Sequence, residues 1–200
     1  MQTNLINQTS FQEQIFNQIN LPKQNFASKK FEDCQFIDCN FAQAEFKKCE
    51  FLNCKFKDCD LSLIKIIDTR FKDVEFCNCK LSGVDFTRVL MTKLFPLQIK
   101  FYECLLNYTN FSGLNLEKIV INNCVVIESD FGESSLISAD CKGSDFAKTR
   151  FLHTDLRKAD FRGAKNYSID FKNNRIEKAK FSMPEVMDLL QFLEIEIEDY

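Results

Sequence analysis

Twenty of the 22 phenylalanines in this chain fall on one register, every fifth residue. From Phe26 to Phe181 that register passes through 32 positions, and only Pro96 and Asn166 are not apolar. It extends weakly back through Leu21, Phe16, Phe11 and Ile6. At period five, large side chains would circle an α-helix rather than mark one face, and in a long strand they would alternate between faces. The chain must instead turn a corner after every five residues. A short repeat held over this length specifies a solenoid.

A second signal sits two residues before each large one. Those positions hold Cys34, Cys39, Ala44, Cys49, Cys54, Cys59, Thr69, Val84, Ser129, Ala139 and Ala159, all small or compact. Each repeat therefore reads small, polar, large apolar, polar, polar, with two residues inward and three facing water. This also accounts for the ten cysteines. Eight occupy the small inward position, Cys141 the large one, and Cys77 alone points outward. Cysteine packs well as a small buried residue, so core packing is expected rather than a disulfide framework or a zinc site. Cys77 is the one candidate for surface reactivity.

Several classes of function are disfavoured. His153 is the single histidine and falls on the outer surface beside Arg150 and Asp155, which leaves no basis for a Ser/His/Asp set. Five glycines leave no room for a phosphate-cradling loop. Acids and bases alternate along the faces, as on a salt-bridged solenoid wall, and no basic stripe with interleaved aromatics suggests direct nucleic-acid binding. A non-enzyme without cofactor or metal is expected. No apolar run approaches 18 residues, and the stretch from Met1 to Asn20 lacks a basic start and an apolar signal core, so the expected location is the cytoplasm, away from the membrane.

Outward positions from 25 to 183 carry 22 acids and 24 bases, whereas Pro184 to Tyr200 carries six acids and no base. This tail begins with Ser182-x-x-Glu185, a capping box with Pro184 in the first turn. Val186, Leu189, Leu190 and Leu193 follow at helical spacing, and 193–198 alternates like a strand. Two readings compete: a lid that seals the solenoid's end, as repeat arrays require, or a lid that also dimerises. One stretch breaks the pattern. In residues 89–100, Pro96 takes an inward position while Leu90, Phe95 and Leu97 are expected to point outward. Proline cannot donate to a ladder, so a distorted coil or short bulge with an exposed apolar patch is expected. That patch is either a contact site or locally repacked. A lesser irregularity covers 163–170, where Asn166 replaces an apolar residue.

The C-x-F-x-x motif of the first half and the A-D-F-x-G of residues 159–163 resemble the pentapeptide-repeat family over residues 24–183. The resemblance implies an all-β solenoid, a right-handed quadrilateral parallel β-helix with four repeats per coil and about eight coils. At ~4.8 Å per rung that is a rod of roughly 38 Å. Residues twenty apart should stack, as Phe31, Phe51, Phe71, Met91, Phe111, Phe131, Phe151 and Phe171, and as Cys39, Cys59, Cys79, Ile99 and Ile119. Residues 1–23 are assigned to a cap or irregular first coil, and 184–200 to a capping and dimerisation element.

Three segments, 56–63, 101–118 and 178–197, resemble more closely the quinolone-resistance (Qnr) and mycobacterial fluoroquinolone-resistance members. That likeness implies a homodimer through the cap, with Val186, Met187, Leu189, Leu190, Phe192, Leu193, Ile195 and Ile197 at the interface. It also implies a DNA-mimicking rod that binds DNA gyrase or topoisomerase IV. The candidate partner-binding residues are Glu194, Glu196 and Glu198, with Leu90, Phe95, Pro96 and Leu97. The alternative is an interaction protein with an unrelated protein partner.

Overall fold

The structure, a computed structural model, describes residues 2–91, 96–193 and 195–196. After a short helix, Gln2–Asn7, the chain forms strands of three or four residues separated by corners. Among the described residues every strand pair is parallel. One face is a four-stranded sheet of Ser10–Gln12, Lys30–Glu32, Glu50–Leu52 and Arg70–Lys72. The next is six-stranded and runs from Ile15–Asn17 to Val120–Asn122. A third holds Asn25–Ala27, Glu45–Lys47 and Lys65–Ile67, and the fourth is closed by single bridges such as Asn20 to Asn40 and Asn40 to Asp60. The protein is thus a four-sided all-parallel β-solenoid. Strand ladders span about five turns on the longest face, and beyond Asn122 the rungs continue as isolated bridges as far as Lys180.

The corners explain the polar positions. Two residues after most of the large side chains the backbone turns left-handed, with φ from 50° to 63° at non-glycine residues. Asn, Asp, Ser, Lys and Glu fill most of these sites, and the first two tolerate that region best. Inside, the phenylalanine rings of successive turns stack. Phe16, Phe36, Phe56, Phe76 and Phe101 lie 4.9, 4.5, 5.0 and 5.3 Å apart in turn. Neighbouring columns meet edge to face, as Phe31 and Phe36 do at 5.3 Å. Both arrangements are favoured by the ring quadrupole.

Small inward residues are of two chemical kinds. Where the residue is alanine, its own N–H closes a tight turn onto the large residue three back: Ala44 to Phe41 O at 2.9 Å, Ala139 to Leu136 O at 3.0 Å. Here the Asp or Asn just before the large residue accepts the N–H two positions on, as Asn40 does from Ala42 at 3.0 Å, the usual role of these side chains in turns. At many positions held by Cys, Ser or Thr the side chain bonds the turn beneath, although Thr109 and Ser134 bond the large residue three back in their own turn. Cys59 donates to Phe36 O (3.4 Å), Thr69 to Phe46 O (2.9 Å) and Ser129 to Leu106 O (2.7 Å). The same heteroatom accepts an N–H from below: Cys79 N–H donates to Cys104 Sγ (3.4 Å), and Cys124 N–H to Ser144 Oγ (2.9 Å). The core cysteines are therefore bridges as well as filler. All ten cysteines are free thiols.

The fourth turn is five residues longer than the others. Strand partners are twenty apart below it, but Val74 pairs with Ile99 and Phe76 with Phe101, twenty-five apart. The expected columns therefore break at the steps from Met91 to Phe111 and from Cys79 to Ile99, while Phe71–Met91 and Ile99–Ile119 keep the twenty-residue relation. Phe86 stacks on Phe111 at 4.6 Å, and Cys79 meets Cys104. The surplus falls between Leu90, whose N–H still bonds Thr69 O, and Leu97, whose N–H bonds Asn115 O. Leu97, expected outside, is buried, and Pro96, expected inside, is half-buried. Proline has no N–H to give the ladder, so the next residue takes the inward place. The same one-residue exchange occurs at the second irregularity, where Asn166 is exposed and Tyr167 is buried.

Candidate functional site

The end of the stack is closed by aromatic and aliphatic groups. Phe161 and Phe181 stack at 5.6 Å, Tyr167 lies 5.4 Å from Phe181, and Leu189 packs on the core. The Tyr167 hydroxyl is buried with no partner among the described residues. Burial pushes its pKa up to about 12, with Asp188 and Glu185 adding to the effect.

The element over this end is a 3-10 helix, Glu185–Phe192, rather than an α-helix begun by a capping box. Pro184 stands at the N-cap without a side-chain bond, and the Ser182 hydroxyl accepts from Gly163 N–H at 2.8 Å instead. The serine is drawn to an unpaired donor of the last turn, which leaves none for the helix. No residue of the helix is fully buried. Leu189 faces the core, Val186, Leu190 and Phe192 are half-buried, and Met187, Leu193 and Ile195 are 43%, 37% and 53% exposed. Glu196 is exposed, and residues 195–196 are not in a strand. Glu194, Ile197 and Glu198 lie outside the described residues, as does Phe95.

Leu90, Pro96 and Leu97 do come together. With Phe71 and Met91 they line a groove of about 410 Å³ where the long turn departs from the stack. Leu90 is 48% exposed, whereas Leu97 forms part of the floor. Cys77 is half-buried, and burial raises its pKa, which makes it a poor nucleophile. His153 is exposed. Among the described residues no helix is long and apolar enough to cross a membrane, and no cluster of three ligating side chains could hold a metal.

The near-neutral wall is banded. Residues 101–141 carry six acids and one base, and residues 142–180 carry eleven bases and five acids. The acidic tail follows. In the basic band, carboxylates are held by arginines: Arg157 bonds Asp155 through Nε and Nη2 at 2.8 and 2.6 Å, and Arg162 bonds Asp160 at 2.9 and 2.7 Å. Such two-point pairs are the strong form of the interaction. The Arg162 guanidinium, foremost, holds the Asp160 carboxyl at about 2, below its ordinary 3.8. A carboxylate depressed by folding stabilises the native state above its unfolded pKa, and that contribution fades as pH falls through the folded value. The melting temperature of wild type should therefore drop faster than that of Asp160→Asn between pH 4 and pH 2. Parallel curves from a pH series would show that the pair adds nothing.

Comparison with known proteins agrees with this architecture. The sequence profile described as a pentapeptide repeat region matches residues 29–111, and that of pentapeptide repeats, in eight copies, matches residues 124–163. No curated protein matches the chain. Among solved structures, a trypsin-treated form of QnrB1, a plasmid-mediated fluoroquinolone resistance protein, is 22% identical. It aligns over 95% of this chain and 92% of its own, with a TM-score of 0.44. HetL, involved in heterocyst differentiation regulation in the cyanobacterium Nostoc sp. strain PCC 7120, is 13% identical over 88% and 90%, also with a TM-score of 0.44. The two profiles together cover more than half of the sequence, and the repeats they match are the turns of the solenoid: the chain belongs to the pentapeptide repeat family.

Proposed function

We propose that the protein is a non-enzymatic interaction protein that dimerises through its C-terminal cap and presents the acidic cap to DNA gyrase or topoisomerase IV as a DNA mimic, altering quinolone sensitivity. The observation that carries this reading is the cap itself. Met187, Leu193 and Ile195 remain exposed over an end that Leu189, Phe181 and Tyr167 already close. A lid alone has no use for these groups, but a two-fold contact does. The six acids of the tail would then double near the axis, where topoisomerase bases that meet DNA phosphates would find carboxylates. The interface residues of this reading are those from Val186 to Ile197 named above, with Glu194, Glu196 and Glu198 facing the enzyme.

A second reading, an unrelated protein partner, draws on the banded wall. A rod imitating duplex DNA along its length would not place eleven bases against five acids next to the acidic cap. A gyrase supercoiling assay, with the protein titrated in with and without a fluoroquinolone, separates the two. Restored supercoiling with drug, or inhibition without it, supports the first. No effect up to tens of micromolar transfers the case to the second. Light scattering tests the dimer independently, which should weigh twice the 23.4 kDa chain.

A further inference from the structure

A groove of about 560 Å³ lies on the corner between the bridge-closed face and the three-stranded face, remote from the cap. The corner column through it reads Lys23, Gln43, Leu63, Gly83, one residue per turn. Leu63 is unusual there. It holds the left-handed conformation, φ 57°, with a bulky apolar side chain that is 55% exposed. The left-handed backbone is ordinary at these corners; what sets Leu63 apart is an exposed branched apolar side chain where most corner residues are polar. Glycine in the next turn makes room for it. A Cβ on Gly83 would stand 2.5 Å from Leu63 Cδ2, so the leucine lies across the glycine and forms a flat apolar floor continued by Ile67.

The rim is cationic. Lys23, Lys65 and Arg88 all line the groove, and none makes an ion pair with a described residue. The strand register sets Lys65 directly over Glu45, yet no ion pair forms between them. The one carboxylate of the lining, Asp85, is engaged elsewhere. It accepts from Thr87 N–H at 3.1 Å and from Thr87 Oγ1 at 2.6 Å. Three cations around an exposed branched floor call for a ligand with an anionic head and an apolar body, and the volume lies in the range of small-molecule sites. We propose that this groove binds a small amphiphilic monocarboxylate, its aliphatic or aromatic body on Leu63 and Ile67 and its carboxylate between Lys65 and Arg88. The site is independent of any contact made by the cap.

The test is titration calorimetry, with ligand-observed NMR, on the full chain at low salt, using 3-phenylpropionate and octanoate as probes and octylammonium as control. Both carboxylates should bind with dissociation constants of about 1 mM or tighter, and the ammonium should not bind. Arg88→Gln should weaken carboxylate binding at least fivefold. Leu63→Gln should do the same without lowering the melting temperature, because Gln43 already occupies this corner at φ 61°. Equal binding of ammonium and carboxylate, no binding of either carboxylate, or wild-type affinity in a folded Leu63→Gln protein would each overturn the proposal.

Discussion

Phe131→Ala is expected to destabilise the protein by about 3–5 kcal/mol, a fall of roughly 6–20 °C in melting temperature for a chain of this size. Phe131 is fully buried and sandwiched between Phe111 at 4.9 Å and Phe151 at 5.6 Å. Truncation leaves a ring-sized void that neither neighbour can fill. Their positions are set by backbone bridges from Asn110 to Asp130 and from Asp130 to Arg150. Each turn of a solenoid is held chiefly by the turns on either side, so the loss should also uncouple the two halves and broaden the denaturant transition. A substitution that leaves the urea midpoint unchanged would mean that residue 131 does not belong to the stack.

Cys104 yields the second large effect, and here chemistry rather than volume decides. Its Sγ donates to Phe76 O at 3.4 Å and accepts from Cys79 N–H at 3.4 Å, all inside the core. Cys104→Ala removes little bulk but takes away both bonds and leaves the buried Cys79 N–H without a partner, at about 1–3 kcal/mol. Cys104→Ser keeps both bonds, as Ser129 and Ser144 do in their own turns. It should cost under about 1 kcal/mol. Chemical denaturation of the two variants side by side decides this. If alanine and serine were equally tolerated, the thiols would be filler alone.

These two residues mark what the sequence discloses. The period-five register identifies nearly every inward side chain, because a corner every fifth residue leaves the large and small positions no other place to go. The stacking partners are another matter. The long turn has five extra residues, one full repeat, so the register of five re-enters in phase at Ile99 and looks unbroken. Only the twenty-residue relation is disturbed, and it moves every residue above Met91 one face around the rod. The composition of the small position shows that something compact is needed. Whether it also donates depends on which carbonyls the three-dimensional path brings beside it. At Pro96 and Asn166 the pattern is visibly interrupted, and the repair by Leu97 and Tyr167 follows once the missing ladder donor and the need to fill the core are both considered. The helical capping motif misled because Ser182 is placed to satisfy Gly163 rather than its own helix. The charge bands are legible in the sequence only segment by segment, because over the whole wall the acids and bases cancel.

The architecture rests on the twenty-five-residue turn, and a double-mutant cycle between Phe86 and Phe111 tests it most directly. Their rings stack at 4.6 Å, nearly parallel, with an interplanar angle of 8°. Such a pair should show a coupling energy of about 1 kcal/mol. The cycle between Met91 and Phe111, which a uniform twenty-residue turn would place in contact, should show coupling within about 0.3 kcal/mol of zero. Coupling for Met91 with Phe111 and none for Phe86 with Phe111 would contradict the long fourth turn and return the stack to a uniform pitch.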